Sequence, residues 1–236
     1  GLIATLPVSA PAGILVQSNT SAILGSEEET DEALRARCRL ATAPMSPAGP
    51  ADAYRFVALS TLRPDGSYVS VTRVRIVDAG ACSLNVYLAA RSGPTEGAMN
   101  APGTDVFLVY QKLLKDVVPN GIKCSVYPAI EAALTIDVTL IVDPDSGLTL
   151  EEAETKAEVA IAEYLAAVPI GGRRTTPALL PTDSGKLHVC AVLAKASESA
   201  VGIVQATSSL GAFDMTIPYN AIPNVSYIIT AIMVKQ

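Results

Sequence analysis

Apolar residues recur along this chain with two periods, and the changes of period mark out its elements. The cleanest two-residue alternation lies in residues 133–142. Ile136, Val138, Leu140 and Val142 fall on one side and Thr135, Asp137 and Thr139 on the other, which predicts a strand with one wet face. The cleanest helical period follows at 149–168, where Ala153, Ala157, Ile161, Tyr164 and Val168 form one stripe. Thr149 and Glu152 supply a capping box at its start. Residues 67–78 are rich in β-branched side chains, but their apolar parity shifts between Val69/Val71 and Val74/Ile76. That requires a bulge or a strand covered on both faces. Residues 83–90 read as its antiparallel neighbour across the turn 78–81.

Weaker signals complete the map. Residues 1–25 read as short strands interrupted by Pro7, Pro11 and Gly13. Residues 50–62 read as a helix with Pro50 near its first turn and Ala53, Phe56, Val57 and Leu59 available for burial. Residues 105–118 read as a helix stopped by Pro119-Asn120-Gly121, and residues 185–200 as another. The end, from Asn224, is apolar on both parities and reads as a buried strand. The expected class is α+β: a strand-rich segment at 1–25, a helix pair at 26–66, a β-β-α-β-α core at 67–168, and a helix and terminal strand in 169–236.

One stretch breaks the apolar texture. In residues 25–40, "GSEEETDEALRARCRL", Glu27, Glu28, Glu29, Asp31 and Glu32 crowd together and Arg35, Arg37 and Arg39 follow at every second position. Metal loops space their acids with glycines so that side chains converge. Here the acids run into a helix start, where the dipole favours them. Ser26 with Glu29 fits a capping box, and Thr30 is a rival N-cap. Ala33, Leu34, Cys38 and Ala41 then form an apolar face, and Asp31 and Arg35 stand one turn apart.

Composition narrows the chemistry. Half of the 236 residues are hydrophobic and 17% are charged, which is ample material for a core. The formal charge of −6, without a basic patch, argues against nucleic-acid binding. A single His excludes any mechanism needing two imidazoles from this chain. Cys38, Cys82, Cys124 and Cys190 lie far apart with no CxxC and read as buried thiols of a protein made in a reducing cytoplasm. No run reaches the roughly 18 apolar residues of a membrane helix. The opening without Met, inside an apolar stretch, reads as a piece of a longer protein.

Three motifs invite chemistry and each has a plainer reading. Asp143, Asp145 and Glu154 echo a calcium loop, but Gly147 is one place early and Glu154 falls in a predicted helix. His188 and Cys190, two apart, cannot face each other on a helix; on a strand they would share a face with no acid nearby in sequence. Arg173 and Arg174 in "GGRRTTP" lack the strand–loop–helix setting of a phosphate loop. No catalytic, cofactor-binding or metal-ligating residue is assigned.

The stretch "EEETDEALRARCRLA", followed by "PAGPADAYRFVAL" and "VSVTRVRIVD…LNVYL", resembles the baseplate J-like family, wedge proteins of contractile phage tails and related injection machines. Glu29, Thr30, Asp31, Glu32, Leu34, Arg35 and Arg37 match that family's helix, roughly E-[ST]-D-E-x-L-R-x-R. Gly49, Ala53 and Tyr54 match the turn and Ala-Tyr pair that follow it, and "AEYLAAVPIGGR" is similar to its late helix and glycine turn. Residues 91–105 and 120–132 carry none of the likeness. The resemblance implies a structural part with no active site and no cofactor, made in the bacterial cytoplasm and built into a tail or injection particle. Its implied partners are other baseplate proteins and copies of itself, with no nucleic acid and no membrane insertion. The motif helix, extended to Arg39, becomes a candidate subunit interface. The alternative is an α+β enzyme or small-ligand binder.

Overall fold

The computed structural model describes residues 30–41, 51–174, 180, 182–209 and 214–233. The predicted strands of 1–25 and the Ser26–Glu29 capping box lie outside them. The chain divides into two units, Gly1–Arg37 and Cys38–Gln236. In the first unit the described residues are Thr30 and the start of α1, Asp31–Ala41, which runs across the division. Its first intrahelical bond, Leu34 N–H to Thr30 C=O at 2.9 Å, puts Thr30 at the N-cap position.

The second unit is α+β, as the periodicities require. Its first layer is a three-stranded sheet in the order β1-β2-β3, with β1 Val71–Gly80, β2 Ser83–Ala90 and β3 Lys123–Pro128. β1 and β2 are antiparallel. β3 runs parallel to β2, and the crossover carries α3, Asp105–Asp116. α3 and α2, Ala51–Leu59, cover one face of the sheet. Tyr54 and Val57 of α2, Val106, Val109 and Leu113 of α3, and Val86 and Leu88 of β2 form that core.

Both readings of the parity shift in β1 hold together. The ladder slips between Val71 and Arg73, a bulge at Thr72. Val69, Val71, Val74 and Ile76 therefore all reach the helical face, while Val77 joins Tyr87 and Ala89 in a separate cluster on the other side. The β1–β2 turn is tighter than expected: Gly80 pairs with Ser83, and Ala81 and Cys82 bridge them at φ +46° and +55°. A left-handed backbone costs an L-residue roughly 1–2 kcal/mol, and two-residue loops of this kind favour Asn-Gly. Ala81→Asn with Cys82→Gly is expected to stabilise the chain by about 1 kcal/mol, read as a higher urea midpoint at unchanged slope.

The second layer is a sheet in the order β6-β4-β8: β4 Ile130–Val142, β6 Ile203–Thr207 and β8 Ala221–Met233. β8 is parallel to β4 over its whole length and β6 is antiparallel to it. α4, Leu150–Ala166, and α5, Val189–Ser197, cover one face. The predicted inward set of β4 and the predicted stripe of α4 are all buried in one cluster. The α4 capping box is formed in both directions, Glu152 N–H to Thr149 Oγ1 and Thr149 N–H to Glu152 Oε2, each 3.2 Å. Thr149→Ala should cost about 1 kcal/mol in denaturant unfolding, and a loss below about 0.2 kcal/mol would contradict this N-cap.

Two expectations need correction, and one strand was not expected. β3, in residues 120–132, carried no sequence expectation, and with it the segment 67–168 feeds two sheets. Residues 185–187 are not helical: they form β5, Gly185–Leu187, antiparallel to β7, Met215–Ile217. Gly185 serves close approach there, because a Cβ on it would sit 2.4 Å from the Gly171 carbonyl oxygen. Finally, β8 is not buried on both faces. Val225, Tyr227, Ile229 and Ala231 pack on the core, but Ile228 is 67% exposed and Ile232 and Met233 are exposed as well. Among the described residues, helices lie on one side of this sheet.

Candidate functional site

The motif helix comes first. Arg35 sits between two acids, 3.3 Å from Asp31 and 3.7 Å from Glu32. Thr30, Asp31, Glu32, Leu34, Arg35 and Arg37 are all exposed. Glu29 and the side chain of Arg39 lie outside the described residues. Of the expected apolar face, the side chain of Ala33 lies outside the described residues; the rest is not buried, Leu34 being 40% exposed and Cys38 and Ala41 exposed. The physical reason is composition. Leu34 is the one large apolar side chain described on this short helix, and acids and arginines flank it.

A second arrangement was not foreseen as a unit. Arg73 and Arg75, two apart on β1, project from the face opposite α2 and α3, since strand side chains alternate. Arg73 donates to the carbonyls of Leu165 and Val168 at the C-terminal end of α4, and to that of Ala90. Cations are favoured at helix C-termini, where carbonyls lack partners. Arg75 donates to the carbonyls of Ile170 and Asp183 and stacks 5.9 Å from the Tyr219 ring. Burial pushes both guanidinium pKa values down, that of Arg75 to about 10 with Arg174 adding repulsion. Around them Val77, Tyr87, Ala89, Ala129, Ile170 and Ile222 form the small cluster that joins the two sheets. The signal in sequence was the arginine pair inside a β-branched run.

A third is the Asp105 site. Its carboxylate takes a two-point contact from Arg63, Nε at 2.8 Å and an Nη at 2.7 Å, and two bonds from Ser70, N–H at 2.8 Å and Oγ at 2.6 Å. These bonds hold its pKa at about 2, the Arg63 contact being the largest cause. The site ties the turn after α2, the approach to β1 and the first residue of α3. It is a structural knot, since every oxygen is consumed within the chain.

The motifs with candidate chemistry resolve as follows. Asp143 caps a short 3-10 turn, Pro144–Ser146, and Glu154 lies inside α4, bonded to the Ala231 N–H at 2.9 Å. The calcium-loop acids therefore do not converge. His188 occupies the N-cap position of α5 and its Nδ1 lies 2.9 Å from Asp214, with Lys186 3.5 Å from the same carboxylate. That acid, distant in sequence, was missed. Asp214 is held below the usual carboxylate range, first by His188. Arg173 and Arg174 are exposed, and Arg173 covers the Tyr164 ring at 5.3 Å. The cysteines are free, but the expectation of burial holds for Cys124 alone; Cys38, Cys82 and Cys190 are exposed. Cys82 is held outside by its turn and Cys190 by the solvent side of α5. Among the described residues no three His, Cys, Asp or Glu gather as metal ligands. No described helix is long and apolar enough to cross a membrane.

No family model and no curated protein matches this chain. What remains to weigh is its own surface. The clefts are shallow; one of about 310 Å³ lies between β8, the C-terminal half of α4 and the loop after β2. A larger, more open depression of about 540 Å³ adjoins it along α4 and shares Arg91 and Ser92.

Proposed function

We propose that this chain is a structural wedge component of the baseplate of a contractile tail or related injection machine. In this reading it assembles with other baseplate proteins and with copies of itself and performs no chemistry of its own. It is made in a bacterial cytoplasm and incorporated into the particle. The observation that carries the proposal is the motif helix. Asp31, Glu32 and Arg35 lie at a helix start, in keeping with the resemblance, and Leu34 beside them is exposed. Arginines suit such contacts because their planar fork meets carboxylates in two-point geometry.

Arg35→Glu with Arg39→Glu tests it. Within the isolated chain the change sets like charge beside Asp31 and Glu32, a cost of only a few tenths of a kcal/mol per pair on an exposed helix. In an assembled contact, unpaired buried charge costs about 3–5 kcal/mol. The expected result is a variant with unchanged circular dichroism and melting that yields few complete tails by electron microscopy. Normal tail counts from the folded variant would remove this helix from the interface.

A further inference from the structure

We propose that the outer edge of β8 is a docking site for an extended, carboxylate-bearing segment of another protein, which adds to the second sheet as a further strand. The inference is independent of the baseplate reading. β8 has β4 as its ladder neighbour on one side, and no described strand lies on the other. Three observations fix which backbone groups face outward. Ile130 N–H donates to the Asn220 carbonyl where the ladder begins, so even-numbered residues of β8 point at β4. Pro223, of the other parity, has no N–H to give. Ala231, of that same parity, donates its N–H to the Glu154 carboxylate at 2.9 Å instead of to β4. Between those two points the N–H and C=O groups of Val225, Tyr227 and Ile229 point away from the sheet.

An edge of this kind is a template for pairing, and charges usually guard it. From Ala221 to Met233 β8 carries no charged side chain. Among the described residues its guard is Glu154, whose carboxylate stands where the carbonyl of a further strand would stand. Beyond that guard, toward Pro223, the edge opens into the 310 Å³ cleft. Ala162, Leu165 and Ala166 of α4 give the cleft a floor of small and apolar side chains, matching the alternate side chains of an added strand.

Charge selects the occupant. The cleft is bounded by two guanidinium groups. Arg73 spends its Nη atoms on carbonyls, and its buried Nε has no partner. Arg91 is 73% exposed and its ion pair with Glu163 is long, 3.9 Å. The acid in the cleft, Glu131, accepts a bond from Asn224 at 2.7 Å. Arg91, exposed and in a long ion pair, is therefore the cation that an incoming carboxylate would meet at this end of the groove.

The test uses the full chain and a fluorescein-labelled octapeptide alternating valine and threonine with one aspartate near an end. Amide hydrogen exchange is followed residue by residue. In the free chain the amides of Val225, Tyr227 and Ile229 are expected to exchange at least ~100-fold faster than those of Ser226, Ile228 and Thr230. Peptide at about 1 mM should slow the first group at least ~tenfold and leave the second unchanged. Arg91→Glu, or asparagine for the peptide's aspartate, should weaken binding by ~tenfold or more. Even-residue protection in the variant reports that its ladder is intact. If the odd-numbered amides stay fast with peptide, the proposal fails. If they are slow without peptide and the chain sediments as a dimer, a second copy holds the edge and the proposal fails in favour of self-pairing. Peptide binding indifferent to both charge changes would overturn the choice of a carboxylate-bearing partner.

Discussion

Asp105→Ala is expected to destabilise the second unit by about 2–3 kcal/mol, because it removes the acceptor that Arg63 and the Ser70 N–H share at a part-buried site. Asp105 is 9% exposed and receives four bonds within 2.8 Å. The same geometry gives a pH signature. The carboxyl titrates at about 2 in the folded chain, against roughly 3.9 when unfolded. A carboxyl whose folded pKa is depressed adds stability that is complete above the unfolded value and disappears as pH falls through the folded one. The difference amounts to about 2 kcal/mol, present above about pH 4–5 and lost toward pH 2. Urea midpoints between pH 6 and pH 2.5 should fall more steeply for the wild-type chain than for Asp105→Asn. Equal slopes would mean the carboxylate is not held as described.

Gly171→Ala should be of similar size, about 3 kcal/mol or more, from two separate causes. Gly171 has φ +82°, where a side chain is strained by roughly 1–2 kcal/mol. A Cβ there would also stand 1.6 Å from an Arg75 nitrogen and 2.7 Å from the Tyr219 carbonyl oxygen. The backbone oxygen cannot yield easily, and moving Arg75 breaks its bond to the Ile170 carbonyl. Gly66 provides the control: its φ is +84°, but nothing lies within 4 Å of its Cβ position. Gly66→Ala should show the backbone strain alone. Urea unfolding of the two variants separates the causes, and equal losses would mean that the contact with Arg75 carries no weight.

These two sites mark the division between sequence and structure. Local order was legible wherever one period dominated. β4 and α4 read correctly because inward positions repeat every 2 and every 3.6 residues, and the Thr149 capping box lies within four residues of sequence. The start of α1 was legible for the same reason: a hydroxyl followed by acids satisfies the first turn of a helix wherever it occurs. Even the bulge in β1 was written in a parity shift.

What the tertiary structure alone decided is everything that depends on partners far apart in the chain. β3 is six residues long and short of alternation, and it is a strand because β2 lies beside it. The inward side of Asp105 depends on Arg63, forty-two positions away, and the role of Arg73 and Arg75 depends on carbonyls that α4 and its following turn present. Leu34 looked like part of a buried stripe, but periodicity tells only which residues share a face. β8 shows the same limit from the other side. Its apolar residues on both parities promised burial on both faces, yet the described helices cover one face, and among the described strands the order β6-β4-β8 leaves β8 at an edge. A sequence fixes which side chains point the same way; whether a surface stands opposite them is settled by the packing of the whole chain.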